Sequence, residues 1–237
     1  MEPKIITVNT IRGGSGKTLF SVLAAKYLQG KKLVIDSDIQ NSLSFWSGIE
    51  PQDKNLFNAI INTNLRENIY HISDYLDIVK SDIRLMDIYG LEPSRLKFIK
   101  ELEDYDYIII DTAPIYSGIV YNFFQISDLI IMPLLLDFFS FKSTVYTIKK
   151  IEQMDHHPEI KVFINNYEKP RTENAYNNQL LDVLNNHDDI SRYLSDVMIP
   201  KNILLRQLND NTIDVIPERK KNQVLLSTIK SFMDEVK

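Results

Sequence analysis

Residues 10–19 read TIRGGSGKTL, with Gly13, Gly14 and Gly16 packed into four positions ahead of Lys17 and Thr18. An apolar run, Lys4 to Val8, precedes the stretch, and Leu19, Val22, Leu23, Tyr27 and Leu28 follow it at helical spacing. A strand, a glycine-rich turn and a helix opening at Lys17 are the setting of a phosphate-binding loop. Glycines let successive backbone N–H groups turn inward as a nest, and the helix N-terminus adds positive potential. In that setting Lys17 reaches the β- and γ-phosphates of a nucleotide, and the Thr18 hydroxyl ligates Mg²⁺. The ordinary spacing G-x-x-x-x-G-K-[ST] fails only at its first position, which is Ile11. The loop is therefore a variant, with the glycine pair moved beside the turn and Arg12 at its entrance.

Working outward, further apolar runs occur at Lys31 to Ile35, Tyr107 to Ile110, Leu129 to Met132 and Lys161 to Ile164, and none alternates with polar residues. Continuous apolarity marks strands covered on both faces, hence a parallel sheet flanked by helices. Helical spacing returns at Phe141, Val145, Ile148 and Ile151. The expected fold is a doubly wound, mostly parallel α/β sheet with helices on both faces. The stretch from Pro51 to Ser94 is less regular, with a helical piece (Leu56 to Ile61) and two short apolar segments (Ile69 to Ile72, Ile83 to Ile88) expected at one sheet edge. Val224, Leu225, Ile229, Phe232, Met233 and Val236 form one stripe of a final helix, expected to face the core.

With 237 residues, 44% hydrophobic, and no low-complexity linker or repeat, one domain spanning 1–237 is expected. No signal peptide and no membrane-length apolar run is visible, which predicts a cytoplasmic protein without a membrane partner. The absence of cysteine excludes thiolate catalysis and Cys-ligated clusters. The four histidines lack metal spacing, and His156–His157 before Pro158 reads as a solvated turn. The net charge is −5, yet residues 201–237 hold seven Lys or Arg against five Asp or Glu, leaving this tail more basic than the rest.

Two companions support the phosphate loop. YDYIIID (105–111) is an apolar strand ending in Asp111, which sets a carboxylate at the carboxyl edge of the sheet, where a metal would lie. VIDSDIQNS (34–42) ends a second strand with Asp36 and Asp38, two apart and on the same face if the chain stays extended. One acid would then serve the metal's surroundings and the other would orient water.

These motifs resemble the ParA/MinD group of deviant Walker A ATPases, and the ParA partition ATPases most of all. RGGSGKT matches the family loop K-G-G-x-G-K-[ST] except at its first residue, DSDIQ matches D-x-D-P-Q with Ile39 for proline, and IIIDTAP is similar to the third motif. Further similarity runs through SDLIIMPLLLDFFSFKS, INNYEKPRTENAY and VMIPKNILLRQLND. The resemblance implies a nucleoid-associated ATPase that uses ATP and Mg²⁺, dimerises on ATP, binds DNA without sequence preference and is released by a ParB-like partner. Some relatives carry an added N-terminal DNA-reading domain, but this chain starts at the first strand, so none is expected here. The alternative is a MinD-like ATPase positioning membrane or protein cargo, which the acidic chain end (Asp234, Glu235) speaks against.

Residue by residue, the resemblance assigns Gly13, Gly14, Ser15, Gly16, Lys17, Thr18 and Leu19 to the nucleotide, Thr18 to Mg²⁺, Asp36 and Asp111 to the metal through water, and Asp38 to the attacking water. Asn165 and Pro200 match positions near the adenine, or are strand-end turn residues. Arg12 stands where the family has a lysine that reaches the phosphates of a partner protomer. It either acts in trans as an arginine finger, retaining charge with a different geometry, or pairs with a local acid. Lys201, Arg206, Arg219, Lys220 and Lys221 are the DNA candidates, although IPKNILL has Leu204 where the family often has a second cation, and Arg219 to Lys221 also fits a solvated helix start.

Overall fold

The computed structural model describes residues 2–40, 43, 48, 53–88, 90–168, 176–211 and 214–237. The apolar runs form a seven-stranded sheet: β1 (Lys4–Val8), β2 (Lys32–Asp36), β3 (Tyr70–Ser73), β4 (Leu76–Val79), β5 (Tyr107–Asp111), β6 (Leu129–Leu134) and β7 (Glu159–Ile164). Their order is β3-β4-β2-β5-β1-β6-β7, parallel throughout except where β3 pairs antiparallel with β4. The less regular stretch does supply one sheet edge. Its two apolar segments diverge, however. The first becomes β3, while the second curls into a 3₁₀ helix, Ile83–Asp87, that buries only Leu85. β4 falls between them and is too short and too mixed for its pattern to stand out.

Alternate residues of each central strand go to opposite faces, and both faces are apolar. Ile6 and Val8 join Val34 and Ile109 on one side, while Ile5 joins Leu33, Ile35, Ile108 and Ile110 on the other. The first side is covered by α1 (Lys17–Tyr27), α6 (Ile203–Asn209) and α7 (Gln223–Val236). There Phe20, Phe163 and Phe232 meet edge to face or tilted, with centroids 4.9–5.8 Å apart. On the other side lie α2 (Leu56–Asn62), α3 (Gly118–Ile126) and α4 (Phe138–Glu152), and α5 (Tyr176–Asn186) adds Leu184 beside β6 and β7. In α7, Leu225, Ile229, Phe232, Met233 and Val236 are buried as expected, but Val224 is 79% exposed. It lies a quarter turn or more from Leu225 and opens the helix on its outer side.

Register brings the functional ends together. Val8 pairs with Asp111, and Asp36 pairs with the same Asp111. Strands β1, β2 and β5 thus finish level at the carboxyl edge of the sheet, the edge where open parallel sheets bind ligands.

Candidate functional site

The glycine-rich turn leaves β1 and enters α1 through Gly16, whose φ of 102° is left-handed, as is the φ of 72° at Gly14. A side chain at Gly16 would also collide with Asn165, whose Nδ2 lies 2.1 Å from where a Cβ would sit. Glycine is therefore required there by backbone and neighbour alike. Asn165, at the end of β7, donates from Nδ2 to the Ser15 carbonyl at 2.7 Å, so a residue from the far side of the sheet holds the turn in shape.

The first two residues of α1 face the strand ends. Thr18 Oγ1 donates to Asp111 Oδ2 at 3.0 Å, and Ser21 Oγ donates to Asp111 Oδ1 at 3.0 Å. Ser21 was not singled out from the sequence, although a second hydroxyl three residues after Thr18, on one helix face in an otherwise apolar run, is the signal that could have found it. Asp36 is fully buried beside Asp111. Burial, first, and the charge of Asp36, second, push the Asp111 carboxyl up to about 7, against the pull of its two hydroxyl donors and of Lys17. Burial lowers the Lys17 ammonium, which is 8% exposed, while the charges of Asp111 and Asp38 oppose that shift.

Asp36 and Asp38 do not share a face of an extended strand. β2 stops at Asp36, whose Oδ1 accepts from the Asp38 N–H at 3.0 Å, and Asp38 Oδ1 accepts in turn from the Gln40 N–H at 3.0 Å. Two successive aspartate-capped turns curl the chain, so Asp36 stays among the strand ends while Asp38 reaches the cleft. Ile39, in the place of the family's proline, packs on the core. Trp46, just beyond, lies outside the described residues.

These groups open on a cleft of about 780 Å³ lined by Gly13, Gly14, Gly16, Lys17, Thr18 and Leu19 at one end and by Asn165, Pro200 and α6 at the other. Asp38 and Gln40 also line it, so of the expected nucleotide residues only Arg12 and Ser15 are not on its wall. Ser15 Oγ is nonetheless buried without a hydrogen-bond partner, and such a group is costly unless an acceptor or donor completes it. The residues fit a nucleotide phosphate. Among the described residues no group of three His, Asp or Glu could hold a metal on its own. Two carboxylates with one hydroxyl suit Mg²⁺, which takes few protein ligands and shares itself with substrate phosphates.

Arg12 pairs with an acid of another element. Its Nε lies 3.6 Å from Asp137 Oδ2, and Asp137 also caps α4 by accepting from the Ser140 N–H at 2.8 Å. Lys201 and Arg206, two of the expected DNA candidates, line the cleft, paired with Glu168 at 3.3 Å and Asp210 at 3.6 Å. Arg219, Lys220 and Lys221 are exposed at a 3₁₀ turn leading into α7. His156 is more than a solvated turn residue, since its Nε2 lies 2.6 Å from the Ser127 carbonyl oxygen.

A family model described as AAA domain matches residues 3–164, more than half of the chain. An uncharacterized protein of Methanocaldococcus jannaschii is 30% identical over 191 residues, covering 70% of this chain and 74% of its own. The chromosome-partitioning ATPase Soj of Treponema pallidum is 25% identical over 166 residues, 65% of each chain. Among solved structures, a Borrelia burgdorferi protein described as a plasmid partition protein, bound to AMPPNP, superposes with a TM-score of 0.81 at 22% identity, covering 99% of this chain and all of that one.

Proposed function

The chain belongs to the ParA-type ATPases of the AAA-domain family, and from that premise we propose that it is an ATP-driven switch that dimerises on ATP with Mg²⁺, holds DNA without sequence preference and lets go after hydrolysis. The observation that carries this reading is the convergence of Lys17, Thr18, Asp36 and Asp111 beneath a glycine turn whose Ser15 hydroxyl lacks a partner. It is supported by the partitioning role in the name of Soj and by the AMPPNP in the Borrelia structure.

In this reading the backbone of Gly13 to Thr18 cradles the phosphates and Lys17 neutralises them. Thr18, with Asp36 and Asp111 behind it, holds Mg²⁺, whose charge offsets that developing on the phosphate oxygens. Asp38 orients the attacking water, and because phosphoryl transfer depends on positioning and charge stabilisation, Asp38→Ala stops hydrolysis while ATP still binds. Asn165 and Pro200 flank the base. Arg12, held by Asp137 within one protomer, leaves that partner to meet the phosphates of a second protomer. A ParB-like protein accelerates a slow intrinsic turnover.

Sedimentation with a slowly hydrolysed ATP analogue and a short random-sequence duplex, repeated with ADP and without nucleotide across a salt series, tests the switch. Binding is expected with the analogue alone and should weaken as salt rises. Equal binding in all three states sinks it. Arg12→Ala is expected to lose the dimer; a variant that dimerises and hydrolyses normally disproves the trans role.

A further inference from the structure

Helix α4 carries, on the side turned away from the sheet, a stripe that the nucleotide site does not use. Its buried face is Phe141, Thr144, Ile148 and Ile151. The outer face repeats every four residues as Phe138, Lys142, Tyr146 and Lys150, which on a helix is a single line. Phe138 is 52% exposed, Tyr146 51%, and Phe139 beside them 75%. Lys142 Nζ sits over the Phe138 ring at 5.4 Å, and Lys150 Nζ over the Tyr146 ring at 5.7 Å. Neither lysine has a carboxylate partner among the described residues, whereas the neighbouring Lys149 is tied to Asp189 at 2.7 Å.

Three large rings at least half exposed on one helix face are an uncommon surface, because aromatic residues are enriched at recognition sites relative to the rest of a protein's surface. We propose that this stripe docks an acidic segment of a partner protein, one whose carboxylates meet Lys142 and Lys150 and whose apolar side chains cover Phe138, Phe139 and Tyr146. Charge complementarity sets the sign of the occupant. The two lysines stand eight residues apart, about 12 Å along the helix, a spacing that carboxylates two turns apart on an acidic helix also span. The rings decide between an acidic peptide and duplex DNA. Stacked base pairs offer no face to a ring, so a duplex would leave Phe139 and Tyr146 without contacts, whereas a peptide side chain fills that space. This inference is independent of the nucleotide reading, since none of the stripe residues lines the cleft.

Binding of the full chain to a fluorescent random copolymer of Glu and Tyr, read by anisotropy, tests it against three others: polyglutamate, a Lys–Tyr copolymer and single-stranded oligo(dT). The Glu–Tyr copolymer is expected to bind tightest, polyglutamate more weakly and the Lys–Tyr copolymer not at all. Phe139→Ala with Tyr146→Ala should weaken the Glu–Tyr copolymer about tenfold while changing polyglutamate little, and Lys142→Glu with Lys150→Glu should weaken both. Circular dichroism and binding of a fluorescent ADP should be unchanged in all variants. No binding of the Glu–Tyr copolymer, binding that the four substitutions leave intact, or oligo(dT) binding more tightly and being lost with the same substitutions would each overturn the proposal.

Discussion

Asp77 in β4 and Asp111 at the end of β5 are carboxylates of one sheet, 3% and 1% exposed, yet their surroundings differ in kind. Asp77 is surrounded by donors. Tyr105 donates its hydroxyl to Oδ2 at 2.5 Å, His71 Nδ1 lies 2.7 Å from Oδ1, and Lys31 Nζ approaches to 3.5 Å while resting 4.6 Å from the centre of the Tyr105 ring. Burial and the Asp77 charge push the Tyr105 hydroxyl well above its ordinary range. Asp111 has two hydroxyl donors but also a second buried carboxylate, Asp36, in register beside it. One acid has its charge answered within the fold and serves structure. The other faces a like charge that the fold does not answer, and in the proposed function a cation would answer it.

The largest expected effect tests which acid belongs to a site. Lys17→Ala, removing the cation that faces Asp111 and Asp38, should lower ATP hydrolysis efficiency by roughly a thousandfold, measured by phosphate release, with little change in melting temperature. Asp77→Ala should do the reverse. It strands the buried Tyr105 phenol, at a cost of about 3 kcal/mol, visible in chemical denaturation, while nucleotide affinity holds. If Asp77→Ala abolished nucleotide binding in a still-folded chain, the division between the two acids would be wrong.

A finer test uses Asp111→Asn, which keeps the shape and removes the charge. Mg²⁺-dependent ATP affinity should fall about tenfold or more, by titration calorimetry. The nucleotide-free chain should be no less stable at alkaline pH, because the repulsion from Asp36 is gone. The sign follows from the raised Asp111 carboxyl. Its folded value, about 7, lies above the ordinary carboxylate value, so its contribution to stability is complete in acid and disappears as pH rises through about 7. A bound cation needs the ionised form, so Mg²⁺ affinity should grow between about pH 6 and about pH 8, by roughly tenfold per unit at most. The Asn variant should flatten both profiles.

The smallest effect is at the loop entrance. The Arg12–Asp137 pair is half exposed on its arginine side, so its rupture by Arg12→Ala should change thermal stability by under about 1 kcal/mol. Losing a dimer with so small a stability change would place the role of Arg12 between protomers rather than within one.

The sheet was legible because burial on both faces forces continuous apolar runs, and five of the seven strands announce themselves that way. β3 and β4 were harder. His71 and Asp77 interrupt their apolarity, and the reason they can be tolerated in a sheet is the mutual network around Asp77, which joins residues from three separate stretches. The phosphate loop, Asp36, Asp38 and Asp111 were legible because each ends or closely follows a strand, so chain order places them at one edge. The faces of Asp36 and Asp38 were not, since the hydrogen bonds that curl the chain there come from side chains whose choice of partner leaves no periodic signal.

What the sequence determined alone is local and periodic: which segments are strands, which loop can cradle phosphate, and that acids follow two of the strands. What only the tertiary structure decided are contacts between distant positions. Asn165 braces Ser15 across 150 residues, Ser21 completes the hold on Asp111, Asp137 claims Arg12, and Lys201 and Arg206 come to line the cleft. Each depends on register and helix docking, which bring together residues that carry no mark of one another along the chain.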